Sequence, residues 1–310
     1  MALRSVRKLR RGLVVLAIAL PALYAVSATI AIVRDHRSTI GQAESDMRNI
    51  AAALHEHAMR TFGEADTRLR VAIAEIERRE LRPTPADQGA LHDILVRAGS
   101  HSPLAGSMGV MAPDGWIHAS AAAYPMRPTD GRDRDYYIYL TSHQGRGMYV
   151  SRPVSSRLSG RWVIPVARRV DHPDGSLKMI VNFGVDMEYF DHFYRSLRLG
   201  ESGRLLLVRR DGWVIVETPL TQGVVDRNLG STPPFLALKH VSLGAYQTER
   251  SALDGTARLV GHASLARSPV IAVASIARDE VLQPWVVRSW QFAGLGALST
   301  ILLLGLLRFL

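Results

Sequence analysis

An arginine and two tyrosines lie close together in the segment 133–137, which reads Asp-Arg-Asp-Tyr-Tyr. The guanidinium of Arg134 is a planar fork of donors that fits a carboxylate. The hydroxyls of Tyr136 and Tyr137 would add directional donors on rigid, apolar rings. The segment therefore suits recognition of a small organic acid. As an alternative, an arginine between two aspartates could form only a surface salt-bridge cluster, which contributes little.

Residues for catalysis or for binding a metal do not form a recognisable pattern. His55 and His57 flank Glu56, but positions i and i+2 of a helix point away from each other, and no His-Glu-x-x-His zinc motif occurs. The sequence has no P-loop, dinucleotide-binding glycine loop or nucleophile elbow, and no GGDEF-type cyclase or kinase signature. The absence of cysteine excludes disulfides and thiolate metal sites. We therefore predict a non-enzymatic protein without a metal or cofactor.

The net charge of +10 does not indicate nucleic-acid binding. Five of the positive charges lie within 1–11, where attraction to anionic lipid accounts for them. The others are interspersed with acidic residues, and no basic run could follow a phosphate backbone. The hydrophobic content of 47% excludes a disordered chain.

Two uncharged, apolar runs predict membrane-spanning helices. The run 12–33 exceeds the roughly 20 residues that a helix needs to cross a bilayer, and the basic segment 1–11 predicts that the N-terminus is cytoplasmic. The second run, 289–307, would return the chain and leave 308–310 as a cytoplasmic tail. We therefore expect 34–288 to lie outside the inner membrane, in the periplasm. A cleaved signal peptide is the alternative for the first run, although its apolar core is typically only about 7–15 residues.

The segment 35–82 has a long helical pattern. Apolar or small residues recur every three or four positions from Ile40 to Ile76 and form one stripe along a helix. At about 1.5 Å per residue, such a helix would be roughly 70 Å long and could pack against a second copy in a parallel dimer. Two helices broken near Gly63 are the alternative. Two prolines end the pattern, and 86–98 predicts a second, shorter helix.

After residue 106 the pattern changes to short alternating strands joined by Asp-Gly turns, which are a strong hairpin signal. Asp-Gly-Trp followed by aliphatic residues occurs twice, beginning at Asp114 and Asp211. Further Asp-Gly turns join longer strands. The recurrence favours an α+β fold made of two copies of one module with antiparallel sheets. We place a membrane-distal module at 83–200 and a membrane-proximal module at 201–285.

This order of elements resembles that of the bacterial double Cache sensors, also called PDC or extracellular PAS-like sensors. These proteins have a membrane helix, a long helix, two PAS-like modules and a second membrane helix, and versions of this type often precede diguanylate cyclase domains. The segments 133–137, 150–157, 159–162 and 167–169, with Val185-Asp186 before Tyr189-Phe190, are similar to the distal module of such sensors. The resemblance covers about residues 35–290.

The resemblance implies that the distal module binds a small extracellular ligand, either an organic acid or an amino acid. Amino-acid-binding members carry an Arg-x-Trp-Tyr run, a further Tyr and a later Asp, which would hold the ligand ammonium or balance the arginine. The residues that correspond by position, and that we expect to bind the ligand, are Arg134, Tyr136 (where the family has Trp), Tyr137, Tyr149 and Asp186. The family has a further Tyr where this chain has Thr129, which favours an organic acid. Four further arginines of the module, at 152, 157, 168 and 169, are expected in solvent.

These observations predict an inner-membrane sensor that binds a small anionic ligand and transmits a conformational change across the membrane, as a homodimer. Because 308–310 leaves no room for an output domain, we expect either a separate cytoplasmic output protein or a chain that is the input half of a longer diguanylate cyclase or histidine kinase. A ligand-free periplasmic interaction scaffold is the alternative from another class, and a periplasmic hydrolase is a third.

Overall fold

The computed structural model describes residues 2–309, apart from 101, 103, 105, 146, 158, 198, 220–226, 233–234, 237–240 and 265–267. The helices are α1 (Ala2–Arg78), α2 (Gln88–Gly99), α3 (Asp135–Ser142), α4 (Met187–Arg195) and α5 (Arg278–Phe309). The chain divides into two compact units, one formed by Met1–Asp46, Gln247–Leu259 and Ile276–Leu310, the other by Met47–Tyr246 and Val260–Ser275.

The strands contribute to two sheets. The strands are β1 (Ser107–Met111), β2 (Trp116–Ser120), β3 (Thr129–Asp130), β4 (Tyr149–Val150), β5 (Val154–Ser155), β6 (Trp162–Asp171), β7 (Leu177–Asp186), β8 (Arg204–Arg209), β9 (Val214–Thr218), β10 (Leu243–Thr248), β11 (Arg258–Ala263) and β12 (Val270–Ala277). The first sheet has the order β3-β2-β1-β7-β6-β4, with β5 paired to β6, and the second has the order β10-β11-β12-β8-β9. The predicted α+β class with antiparallel sheets is confirmed.

Helix α1 is a single helix that continues through Gly63, so the alternative of two broken helices is wrong. Its predicted apolar stripe is largely buried within the single chain, as shown by Met47, Leu54, Ala58, Phe62, Ala65, Leu69 and Ile76. Glu80 has a φ of +56°, a left-handed conformation that turns the chain out of the helix just after its end. The following prolines cannot continue the helix.

Two of the helices are long and apolar enough to cross a membrane, on the criteria of length and composition alone. The qualifying segments are Val14–Arg78 of α1 and Arg278–Leu306 of α5. Within the first unit, these helices are joined by several polar contacts. The Tyr24 hydroxyl donates to the Phe292 carbonyl at 2.8 Å, Trp285 Nε1 donates to the Ile32 carbonyl at 3.0 Å, and Arg288 Nε pairs with Asp35 Oδ2 at 2.8 Å.

The Asp-Gly turns form the hairpins that the sequence predicts. Gly115, Gly175 and Gly212 have φ values of +87°, +82° and +98°, in the left-handed region where a side chain would be strained. These turns join β1 to β2, β6 to β7 and β8 to β9. The β6–β7 hairpin sets Val163 opposite Asp186, which positions one wall of the site described below.

Arg169 of β6 is buried and Arg168 is largely buried, so the expectation that they lie in solvent is wrong. The side chains of Arg168 and Arg169 are only 13% and 5% exposed. Arg168 Nη2 donates to Asp66 Oδ2 of α1 at 2.9 Å, and Arg169 Nη1 donates to the Leu140 carbonyl at 2.7 Å. Each guanidinium therefore ties the first sheet to a helix.

Candidate ligand-binding site

A cavity of about 370 Å³ lies over one face of the first sheet. Because successive side chains of a strand point to opposite faces, Gly109 of β1 and Asn182, Gly184 and Asp186 of β7 share the face that forms its floor. The two glycines carry no side chain and so leave space above the sheet. Helix α3 and the chain between β5 and β6 line the other walls. This volume is in the range of small-molecule sites.

Arg134 enters the cavity from the N-terminus of α3. It is the residue before the first helical turn, and its backbone N–H donates to the Gly131 carbonyl at 3.0 Å. Its side chain is only 12% exposed, and Asp133 Oδ1 lies 3.8 Å from its Nε, beyond hydrogen-bond distance. The guanidinium makes no hydrogen bond to any residue in the described part of the chain. Arg134 is therefore a largely buried cation with a long ion-pair contact to Asp133, and its hydrogen-bond donors are available to a ligand.

Both aspartates beside Arg134 form shorter contacts with other arginines, which weighs against the surface-cluster alternative. Asp133 accepts two hydrogen bonds from the Arg157 guanidinium, at 2.9 and 2.8 Å. Asp135 pairs with Arg209, with Nη1 and Oδ2 separated by 2.7 Å. Since these carboxylates are already bound by other arginines, neither forms a hydrogen bond with Arg134.

Tyr136 presents a second donor in the same cavity. The residue is 3% exposed, and it packs in a core cluster with Met111, Ile117, Leu140, Ala167 and Ile180. Burial raises the pKa of its hydroxyl to about 12, so the group keeps its proton at neutral pH. No residue within the described ranges hydrogen-bonds to this hydroxyl. It can therefore donate to a bound anion.

Asp186 lines the cavity with a carboxylate that already has two partners. Its side chain is 3% exposed. Oδ1 accepts a hydrogen bond of 3.0 Å from the Glu188 backbone N–H and so caps α4. Oδ2 accepts a hydrogen bond of 2.9 Å from Nη1 of Arg161, whose own side chain is 59% exposed.

Besides four serines, the cavity is lined by three polar residues that were not predicted from the sequence as ligand residues: Arg157, Arg161 and Asn182. The side-chain oxygen of Asn182 is buried and has no hydrogen-bond partner among the described residues. For Arg161 a signal existed in the sequence, since the turn at Gly175 sets Val163 opposite Asp186 and makes the residue at 161 a diagonal neighbour of the aspartate. The position of Arg157 depends on a loop that has no such register.

Two of the predicted ligand residues do not line this cavity. The Tyr137 hydroxyl donates to the Pro113 carbonyl at 2.9 Å, and the ring lies close to the turn at Gly115. The Tyr149 hydroxyl donates to Asp135 Oδ2 at 2.9 Å and accepts from Arg209 Nη1 at 2.7 Å. The structure thus brings three of the five predicted residues together at the cavity: Arg134, Tyr136 and Asp186.

Asp135 is the centre of a separate polar cluster. Besides Arg209 and Tyr149, its Oδ2 accepts from the Arg152 backbone N–H at 3.1 Å and from the Ser151 hydroxyl at 3.2 Å. Burial alone would raise the pKa of Asp135, but the hydrogen bonds and the positive charge of Arg209 outweigh burial and lower it. The carboxylate therefore stays ionised and holds α3 to β8 of the second sheet.

Comparisons with known proteins agree with this fold. Residues 187–275 match the family model described as dCache_1-like, a histidine kinase sensor domain. The extracellular domain of rpHK1S-Z16, described as a histidine kinase, superposes with a TM-score of 0.66 and 28% identity, over 79% of this chain and 98% of that one. No curated protein gives a significant match.

Two more distant structures share the fold alone. The periplasmic sensory domain of the Campylobacter jejuni chemoreceptor Tlp1 gives a TM-score of 0.60 at 11% identity, covering 79% of this chain and 99% of that one. The ligand-binding domain of Mlp24 with asparagine gives 0.52 at 17% identity, covering 80% and 99%. The predicted resemblance to Cache-type sensor domains is confirmed by the family match and these neighbours.

Proposed function

We propose that this chain is a sensor of the bacterial inner membrane that binds a small carboxylate-bearing ligand in the cavity on the first sheet. The observation that carries this proposal is the state of Arg134, a nearly buried guanidinium without a hydrogen-bond partner among the described residues. Burying a charged group whose donors make no hydrogen bonds is unfavourable, and a bound anion would supply the missing acceptors. A ligand carboxylate would accept from the fork of Arg134 and from the hydroxyl of Tyr136.

The charges around the cavity favour an anion. Arg134, Arg157 and Arg161 line it, and Asp186 is the only acidic residue among its described lining residues. Asp186 is offset by Arg161, and Arg157 by Asp133 outside the cavity. Because Asp133 also lies 3.8 Å from Arg134, the three arginines share two carboxylates and one positive charge is in excess. Fixed donors in a partly enclosed cavity attract a small anion more strongly than the same groups would in bulk water.

The proposed topology has membrane spans at 12–33 and 289–307, with the two modules of 83–200 and 201–285 between them in the periplasm. The apolar lengths of α1 and α5 support the two spans. Each of the two sheets falls within one of the proposed modules. The extracellular and periplasmic domains to which the chain is similar support the location of the segment between the spans.

In this proposal, the bound ligand shifts the modules and the membrane helices pass the change to a cytoplasmic output, either a separate protein or a domain that follows in a longer chain. The similarity to a sensor domain described as part of a histidine kinase supports an output of this kind. We also propose a homodimer. Because much of the apolar stripe of α1 is buried within one chain, the second copy would pack on the opposite face, where Val71 is 59% exposed.

The test is a thermal-unfolding screen of the full chain in lipid nanodiscs against organic acids and amino acids. A ligand at 100 times its Kd should stabilise the folded state by about 2.7 kcal/mol. Arg134→Ala should abolish the shift, whereas the matched control Arg127→Ala, at an exposed position away from the cavity, should retain it. If Arg134→Ala unfolds, Arg134→Lys, which keeps the charge without the fork, should bind more weakly. A shift of equal size in every variant, or in none, would refute the proposal.

A further inference from the structure

We infer that Arg161 excludes the amino group of amino acids from the cavity, so that the ligand is an organic acid without a cationic group. This inference rests on the proposed function, because it concerns how the same cavity selects its ligand. It starts from the ion pair between Arg161 Nη1 and Asp186 Oδ2, which lie 2.9 Å apart.

A ligand ammonium needs a carboxylate inside the cavity. An ammonium has three N–H donors and no acceptor, and a buried ammonium is strongly unfavourable without an opposite charge. Among the described lining residues, Asp186 is the only one that carries a negative charge. An amino acid held at Arg134 would therefore have to direct its ammonium to Asp186.

Both oxygens of Asp186 already have partners. The backbone N–H of Glu188 donates to Oδ1, and this bond starts helix α4. The guanidinium of Arg161 donates to Oδ2. Asp186 thus has a cation from the protein itself in the place that a ligand ammonium would take. An entering ammonium would either displace Arg161 or share the carboxylate with it, and in both cases it would lie near two further arginines that line the same cavity.

The polar group that remains for the rest of the ligand is neutral. The Asn182 side-chain oxygen is buried and has no partner among the described residues. A neutral amide suits a ligand hydroxyl, with which it exchanges one hydrogen bond, but it does not balance the charge of an ammonium. The arrangement therefore favours a carboxylate ligand that carries a hydroxyl over its amino counterpart, because the wrong ligand leaves a desolvated charge unpaired.

The position of Arg161 makes this selection adjustable. Its side chain is 59% exposed at the edge of the cavity, whereas Asp186 is 3% exposed. Replacing Arg161 by a neutral side chain would leave a buried carboxylate with no cation, which an ammonium of the ligand would then satisfy. The same substitution should thus weaken discrimination against amino acids and leave Arg134 free to bind the carboxylate.

The experiment measures Kd by calorimetry for the full chain in nanodiscs with three isosteric pairs: L-lactate and L-alanine, L-malate and L-aspartate, 2-hydroxyglutarate and L-glutamate. In whichever pair binds, the wild type should prefer the hydroxy acid by about tenfold or more. Arg161→Gln should lower this preference by about tenfold or reverse it. Arg161→Lys, which keeps a cation beside Asp186, should retain the preference, as should the control Arg127→Gln.

The outcomes separate the two proposals. If the wild type binds an amino acid as tightly as its hydroxy counterpart, in an Arg134-dependent manner, the inference is overturned and the proposed carboxylate sensor stands. An unchanged preference for the hydroxy acid in Arg161→Gln would also overturn the inference. If Arg161→Gln does not fold, loss of this preference in Arg161→Lys would overturn it instead. If the wild type binds none of the six probes and no acid in the thermal screen, the proposed function fails and the inference fails with it.

Discussion

Nη1 of Arg209 lies 2.7 Å from Oδ2 of Asp135, so the last residue of β8 is paired with the first residue of α3. Asp135 directly follows Arg134, the cation that we propose binds the ligand. Both side chains of the pair are mostly buried, at 11% and 15% exposed. A shift of α3 on ligand binding would therefore act directly on a strand of the second sheet.

We predict that Asp135→Asn destabilises the fold, because it leaves Arg209 with a buried charge that has lost its buried partner. Breaking such a pair costs about 3–5 kcal/mol when it is fully buried, and we expect about 2–4 kcal/mol here. The control is Asp211→Asn, which removes the half-exposed partner of the same arginine and should cost less than about 1 kcal/mol. Chemical denaturation of the full chain in detergent measures both values, and equal losses would contradict the prediction.

The same carboxyl makes stability depend on acidic pH. Its pKa in the folded chain lies below the ordinary value of about 3.9, so its contribution is complete above that value and is lost as the pH falls towards the folded pKa. We predict that the difference in free energy of unfolding between the wild type and Asp135→Asn shrinks between about pH 5 and pH 3. A difference that stays constant over this interval would show that the charge of Asp135 does not contribute.

His262 should make stability depend on pH in a higher range. It is 4% exposed, and neither ring nitrogen has a hydrogen-bond partner among the described residues. Burial lowers its pKa below the ordinary value of about 6.5. As the pH falls below that value, the unfolded chain takes up a proton that the folded chain does not, so stability decreases.

We therefore predict that His262→Phe reduces the loss of stability between about pH 7.5 and pH 5.5. A fraction of the loss should persist, because burial also lowers the pKa of His55 and His57. His172→Phe, at an exposed position, is the control and should leave the slope unchanged. Melting temperatures at the two pH values measure the effect, and parallel curves for the wild type and His262→Phe would rule it out.

Tyr136 and Tyr137 provide a matched pair for the ligand site. Tyr136→Phe keeps the ring in the core cluster and removes a hydroxyl that has no protein partner in the described structure, so we expect unchanged or slightly higher stability. Its affinity for the ligand should fall by about tenfold, the value of a hydrogen bond to a charged group. Tyr137→Phe removes the bond to the Pro113 carbonyl and should cost stability of about 1 kcal/mol without changing ligand affinity. Titration calorimetry with the tightest-binding acid separates the two, and reversed effects would contradict the assignment.

Much of the fold could be predicted because its signals are local. Glycine at a turn that needs positive φ, as at Gly115 and Gly175, identifies hairpins from two residues. The stripe of α1 follows from helical periodicity. The burial of Arg168 was missed because its partner, Asp66, lies about 100 positions earlier, and no local pattern distinguishes a buried arginine from a solvated one.

The candidate site was predictable only where its residues belong to a short string or to a paired strand. Arg134 and Tyr136 lie two residues apart at the start of α3, and both line the cavity. Tyr149 was assigned by position to the same site, but it pairs with Asp135 and Arg209, and this cluster exists only because two sheets meet there. Tertiary contacts of this kind cannot be read from spacing.

The carboxylate of Asp186 has two roles, since it caps α4 and also lines the cavity. A substitution there would cost about 1 kcal/mol of cap energy at the same time as it changes recognition. The exposed side chain of Arg161 is bound to Asp186 alone among the described residues. Descendants of this chain could therefore acquire new ligands through single codon changes at 161, without passing through poorly folded intermediates, whereas changes at 186 would be selected first for folding.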